Sequence, residues 1–210
     1  MIKVKRADKP PILVQKAKEW TETLLAAQTK KDRQNAESKY QHKQIKDCLV
    51  KMFHGKCAYC ESQIRHIDYG HIEHYRPKSK FHELTYSWNN LLLACGVCND
   101  KAHKGDKFPL MKEGGLLINP CIDNPDAHFN FYYDPQTCIA SVYGTTQRGE
   151  TTEKLLGLNR DELRKHRSKQ VRQLQVLVKL SETDSDAKAL IAEAKQDDAE
   201  YAAFIRELTK

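Results

Sequence analysis

Two Cys-x-x-Cys pairs, "CAYC" (Cys57, Cys60) and "CGVC" (Cys95, Cys98), constrain this chain more than any other feature, with 34 residues between them. Each x-x spacing lets both sulfurs of a pair reach one ion about 2.3 Å away, and four thiolates suit a closed, tetrahedral zinc site. With no open coordination position, such a zinc folds its loops and does not activate water. A redox Cys-x-x-Cys is the rival reading of either pair, but redox chemistry needs no second copy. Seven cysteines, an odd number, fit a reducing compartment with a metal site better than a disulfide framework; Cys48, Cys121 and Cys138 are left as buried or inert thiols.

At 210 residues the chain can bury an ordinary core, as one domain with additions or as two small domains. Thirty-five Lys and Arg against 28 Asp and Glu give a net charge of +7, which favours an anionic partner such as nucleic acid, although a solvated basic surface has the same composition. The apolar run in "MIKVKRADKPPILVQ" is short for a signal peptide, and no stretch of about 18 apolar residues occurs, so a soluble, cytoplasmic protein with no membrane association is expected.

After the "KPP" break, Ile12, Ala17, Trp20, Leu24 and Leu25 recur at helical spacing, as do Tyr40, Ile45, Cys48, Leu49 and Met52 within residues 36 to 53. Gly55 ends this second helix and opens a loop suited to a metal knuckle. Periodicity then fades to about residue 109, while Cys, His, Asn and Lys are dense. "FNFYYDPQTCIASVYG" reads as a β-hairpin turning at Asp134 and Pro135. Asn159 with Glu162 predicts a capping box before a long basic helix, "SETDSD" breaks that helix, and a last one covers residues 187 to 208. The expectation is an α+β protein organised as an N-terminal helical region (1–54), a zinc-stapled core (55–110), a hairpin extension (111–150) and a C-terminal helical region (151–210). With no repeat or flexible linker, one domain with helical ends is expected.

Between the cysteine pairs lie "HIEHYRPKS" and "WNNLLLAC", and "CGVC" is followed directly by Asn99. In this ordered set, over about residues 57 to 109, the sequence resembles the HNH (ββα-metal, His-Me finger) nucleases. The resemblance puts Glu73-His74 at the end of one strand, Asn90-Leu91 on the path to the second cysteine pair and Asn99 at the start of the helix of the ββα unit. It implies a zinc-stapled HNH core and hydrolysis of nucleic acid to 5′-phosphate and 3′-hydroxyl ends. Out to about residue 131, through "KFP" and "LLINPCIDNPDAHFNF", the chain resembles more narrowly the HNH component of Septu-type and retron-associated anti-phage systems. That implies an effector nuclease acting with an ATPase subunit of a defence complex. The family often has Asp where this chain has Glu73; a carboxylate is kept.

The residues themselves are chemically apt. Phosphodiester cleavage needs a base for the attacking water and positive charge on the non-bridging and leaving oxygens. His74 is the candidate base. Glu73 and Asn99 offer one carboxylate and one carbonyl oxygen, a donor set suited to Mg²⁺, with Mn²⁺ able to substitute. Adjacent strand residues point to opposite sides, so Glu73 and His74 can share a pocket only at a strand end or bend. The resemblance implies that Asn90 buttresses the loop carrying His74. Arg76 is a candidate phosphate contact, within a basic group that includes Lys78, Lys80, Lys101, Lys104 and Lys107 and that could equally be a solvated rim. His71 is a candidate substrate contact, second metal ligand or orienting group, with a packed or surface histidine as the rival reading. His103 falls on the face of Asn99 if the helix after the cysteines continues. Trp88 reads as core. No base-reading motif selects the polymer, whether DNA or an RNA such as tRNA. The rival functions are a non-catalytic zinc-ribbon module that binds nucleic acid, and an assembly subunit.

Overall fold

A computed structural model describes all 210 residues, and the chain forms two compact units. One comprises Val4–Ala58 and Ile64–Phe108; the other comprises Met1–Lys3, Tyr59–Gln63 and Pro109–Lys210. No helix is long and apolar enough to cross a membrane.

The first unit begins with α1 (Pro11–Ala26), which has proline in its first turn, where the missing N–H costs nothing, and buries Leu13, Trp20 and Leu24 along one stripe. α2 (Lys30–Ser38) is capped by the Thr29 hydroxyl, which accepts from the Asp32 N–H, and buries only Ala36. α3 (Lys43–Met52) buries Ile45, Leu49 and Met52 on one face. The predicted continuous helix over 36 to 53 is therefore interrupted. His42 takes an extended ψ of 137°, and its Nδ1 accepts from the Gln44 N–H to cap α3. A 3-10 turn, Lys39–Gln41, fills the gap and carries Tyr40. Gly55, at φ 72°, ends the passage from α3 as expected.

β1 (His71–His74) and β2 (Leu91–Ala94) pair antiparallel with His71 opposite Ala94 and His74 opposite Leu91. Every β2 residue is buried, and α3 packs on this strand. Trp88 is core, as expected, with its indole N–H on the Ala7 carbonyl. The Arg6 guanidinium lies over the Trp88 ring and donates to the Leu91 carbonyl at 2.6 Å, tying the segment before α1 to the start of β2. β2 leads directly into α4 (Gly96–Asn99). Asn99 thus closes this helix and does not start it, because Cys95 occupies the N-cap and accepts from the Cys98 N–H.

In the second unit the expected hairpin is present as β3 (Phe129–Asp134) and β4 (Ile139–Gly144). Phe129, Phe131 and Tyr133 alternate inward, while Asn130 and Tyr132 face outward. α5 (Gln147–Leu156) packs on β4 so closely that a Cβ on Gly144 would lie 2.1 Å from the Glu150 nitrogen. α6 (Asp161–Leu180), α7 (Ser185–Ala194) and α8 (Ala202–Leu208) complete the unit. The predicted capping box is absent. Asn159 spends its amide on the Val142 N–H and carbonyl, and Glu162 pairs with Lys165 in solvent. The predicted last helix is split, because Tyr201 adopts φ 54° and Arg206 of α8 donates to the Lys195 carbonyl that ends α7.

Candidate active site and zinc centre

Cys57 and Cys60 follow the left-handed turn at His54 and Gly55, and Cys95 and Cys98 flank the start of α4. The Ala58 N–H donates to the Leu93 carbonyl at 2.8 Å, which holds the first knuckle against the strand that delivers the second. All four Sγ atoms lie within 4.8 Å of one another. Ligands about 2.3 Å from one zinc stand about 3.8 Å apart at the corners of a tetrahedron, so the cluster fits the ion with little adjustment. The group is largely buried, as a structural site requires.

His74 closes β1 with its side chain turned inward, only 6% exposed. Its Nε2 lies 3.0 Å from the Thr85 carbonyl oxygen, which can only accept. In the neutral ring Nε2 therefore carries the proton and Nδ1 the lone pair. Burial pushes the imidazole pKa down to about 4; the Thr85 bond opposes this, and Lys78 and Lys104 reinforce it. The Tyr40 ring meets His74 edge-on, with centroids 4.7 Å apart.

Glu73 precedes it and is also buried. Its Oε1 is 2.6 Å from the ammonium of Lys104, which is itself wholly buried and donates to the His74 carbonyl at 2.9 Å. Lys104 thus leaves the supposed basic rim. It is a buried cation binding the carboxylate of one β1 residue and the backbone of the next. The helix that would have carried His103 stops at Asn99, so His103 lies on a turn, with its Nδ1 buried and without a hydrogen-bond partner.

Asn90 holds the chain just after His74: its Oδ1 accepts from the Arg76 N–H, and its Nδ2 donates to the Arg76 and Leu84 carbonyls. The Arg76 guanidinium stacks over Phe81 and Phe108, 5.4 and 5.1 Å from their centroids. Lys78 pairs with Glu37 at 2.6 Å and lies over the Tyr40 ring. Lys80 and Lys101 are exposed, and Lys107 donates to the Ala102 carbonyl. His71, half-exposed and 3.9 Å from Asp68, lines a cavity of about 260 Å³ together with Asn99, Tyr40 and Lys46.

The structure therefore brings His71 and Asn99 to one cavity, joins Glu73 to Lys104, and sets Tyr40 both in the cavity wall and against His74. Sequence reasoning missed Tyr40, Thr85 and the burial of Lys104. Tyr40 lies far outside the cysteine region, Thr85 acts through its carbonyl, and a lysine flanked by polar residues has no pattern that marks it as buried.

The family description "HNH endonuclease" matches residues 57–105. Septu protein PtuB of Bacillus mycoides (strain KBAB4) is 32% identical over 214 residues, covering 84% of this chain and 69% of that protein. Septu protein PtuB of Bacillus thuringiensis is 32% identical over 162 residues, 76% of this chain and 55% of that protein. Septu protein PtuA of Bacillus mycoides (strain KBAB4) is 33% identical over 139 residues, 53% of this chain and 18% of that protein.

Proposed function

Because this chain belongs to the Septu PtuB family and carries an HNH endonuclease domain, we propose that it hydrolyses phosphodiester bonds of nucleic acid as the effector of an anti-phage defence complex. The observation that carries this reading is His74: an imidazole kept neutral by burial, with its tautomer set by the Thr85 carbonyl and Nδ1 left to accept a proton. Water loses that proton to Nδ1 as its oxygen bonds to phosphorus; the bond from phosphorus to the 3′-oxygen breaks, and the leaving alkoxide takes a proton from solvent, giving 5′-phosphate and 3′-hydroxyl ends. A base works best with a pKa near the operating pH. An anionic phosphate beside the ring raises its value from about 4 toward that range.

Glu73 and Asn99 are the residues that would hold Mg²⁺ or Mn²⁺. One carboxylate and one amide oxygen suit an ion that keeps several waters; Asn99 lines the cavity of about 260 Å³, and Glu73, outside that lining, would share its carboxylate between the ion and Lys104. When bound, the ion supplies positive charge to the non-bridging and leaving oxygens. Lys104 fixes the Glu73 carboxylate, and Asn90 fixes the turn after His74. The four cysteines hold zinc as a closed staple with no open position for water. The names PtuB and PtuA among the relatives support a Septu partner subunit, which the family resemblance implies is an ATPase, and the net charge of +7 supports a nucleic-acid substrate.

The test is cleavage of duplex DNA, single-stranded DNA and tRNA by zinc-loaded wild type and His74→Ala, with Mg²⁺, Mn²⁺ or EDTA, alone and with the ATPase subunit. Loss of a proton-transfer group lowers the rate by about 10²–10⁴-fold. Cleavage that survives His74→Ala refutes the assignment. If no sample cuts while both proteins bind nucleic acid equally, the chain is a binding module.

A further inference from the structure

The matched nuclease segment starts at residue 57, yet three residues of the cavity wall, Tyr40, Gln41 and Lys46, come from the segment before it. Tyr40 is presented by the 3-10 turn between α2 and α3, and Lys46 by the first turns of α3. We propose that this N-terminal helical segment supplies two working parts of the hydrolytic site: Tyr40 as the positioning residue for His74, and Lys46 as the cation that grips a backbone phosphate in the cavity shared with His71 and Asn99.

Two constraints fix the His74 ring. The Thr85 carbonyl holds Nε2 at 3.0 Å, which still leaves rotation about that bond; the Tyr40 edge, 4.7 Å away and at 81° to the imidazole plane, removes it. Tyr40 is held in turn by the Lys78 ammonium over its ring, with Lys78 anchored on Glu37 of α2. The Tyr86 hydroxyl donates to the Ala36 carbonyl and pins the same helix. A break in the helix, which α-helical propensity alone does not call for, is what turns Tyr40 toward β1.

Lys46 donates to the Gly70 carbonyl, which uses one of its three N–H bonds, and it is half-buried in the wall of the cavity. Burial lowers its pKa while Asp68 raises it. A volume of about 260 Å³ is roughly the share of nine water molecules, room for a phosphate with part of its hydration. A single ammonium beside an imidazole and an amide makes a site for a singly charged phosphodiester.

This inference rests on the hydrolytic reading, and its test is chosen to be separable from it. The zinc-loaded full chain is treated with diethyl pyrocarbonate, and modification of the peptide bearing His74 is followed by mass spectrometry. Tyr40→Ala is expected to speed modification at least about 10-fold, while Tyr40→Phe keeps the wild-type rate. In cleavage, Tyr40→Ala lowers kcat with KM unchanged, and Tyr40→Phe restores it. Binding of a fluorescent duplex in Ca²⁺, measured across a salt series, reads Lys46: Lys46→Gln is expected to weaken binding several-fold and to reduce the slope of log affinity against log salt by about one. An unchanged modification rate in Tyr40→Ala, or failure of Tyr40→Phe to match wild type, overturns the role of Tyr40. An unchanged salt slope in Lys46→Gln, or no binding by wild type, overturns that of Lys46. Neither readout depends on turnover, so a chain that never cuts removes the hydrolytic reading while both roles are still decided.

Discussion

Each of the two units buries a basic side chain almost completely, and the two cations are used in opposite ways. Lys104, in the unit that holds β1 and β2, faces the Glu73 carboxylate at 2.6 Å and the His74 carbonyl at 2.9 Å. Arg167, on α6 in the other unit, meets the Ala140 and Leu158 carbonyls and the Asn159 Oδ1, with its guanidinium over the Phe204 ring. Burial pulls Arg167 down to about 10, which leaves it charged at neutral pH. A guanidinium with five fixed donors can satisfy itself on neutral acceptors and cross-brace a hairpin and two helices. A compact ammonium needs a full counter-charge when buried, so it settles beside a carboxylate. The first arrangement joins elements; the second fixes charge in place.

The largest test of that contrast is removal of zinc. Both tryptophans, Trp20 and Trp88, lie in the unit of β1 and β2, so their fluorescence reads that unit alone. Stripping the metal with a thiol-specific mercurial is expected to release one zinc per chain and shift both tryptophans toward the emission of exposed indole. Structural zinc carries about 10–16 kcal/mol of apparent binding free energy in small fingers. The α6 helix, which contains no cysteine, is expected to keep its far-ultraviolet circular dichroism. An unshifted tryptophan signal in metal-free protein would mean that the four cysteines are not the staple.

Next comes Lys104 itself. Lys104→Met leaves Glu73 buried without its cation, which costs about 3–5 kcal/mol for a broken buried pair. Glu73→Leu combined with Lys104→Met removes both charges and is expected to recover most of that stability in urea unfolding, while cleavage stays at least about 100-fold down. Recovery of cutting in the double variant would show that the pair is only structural. Additive losses of stability would show that the two groups do not act as one.

How much of this was legible depended on whether the signal was a pattern or a partnership. The cysteine spacing announced a cluster whose sulfurs do converge, and alternation along residues 129 to 144 announced the hairpin. Asn90 and His74 stood out by their place in the ordered set between the cysteine pairs, and both are buried. The broken helix at 39 to 42 was invisible, because Tyr40 leaves the helix for a contact 34 residues away. The burial of Lys104 was equally hidden, since its partner is 31 positions distant and lysine is ordinarily a surface residue. Asn159 shows the converse error: a local capping rule read correctly from sequence lost to a tertiary demand, the Val142 backbone and Arg167.

That demand gives the smallest and most discriminating test. Arg167→Met leaves two buried carbonyls and the Asn159 oxygen without this donor, and with about 1–3 kcal/mol for each such group, partly relieved by relaxation, a loss of about 2–4 kcal/mol is expected. Arg167→Lys recovers little, because one ammonium cannot span the acceptors that the fork reaches. Cleavage per folded molecule stays within about twofold of wild type, unlike Lys104→Met. Asn159→Ala is expected to lose about 1–3 kcal/mol, since both its amide groups serve buried partners. Glu162→Ala, by contrast, removes only an exposed pairing with Lys165 and is expected to leave the urea midpoint unchanged. Equal losses at Asn159 and Glu162 would restore the capping box. A null effect at Glu162 beside a clear one at Asn159 would place the start of α6 under the control of Arg167 and the hairpin, as a buried cation that works by joining elements should do.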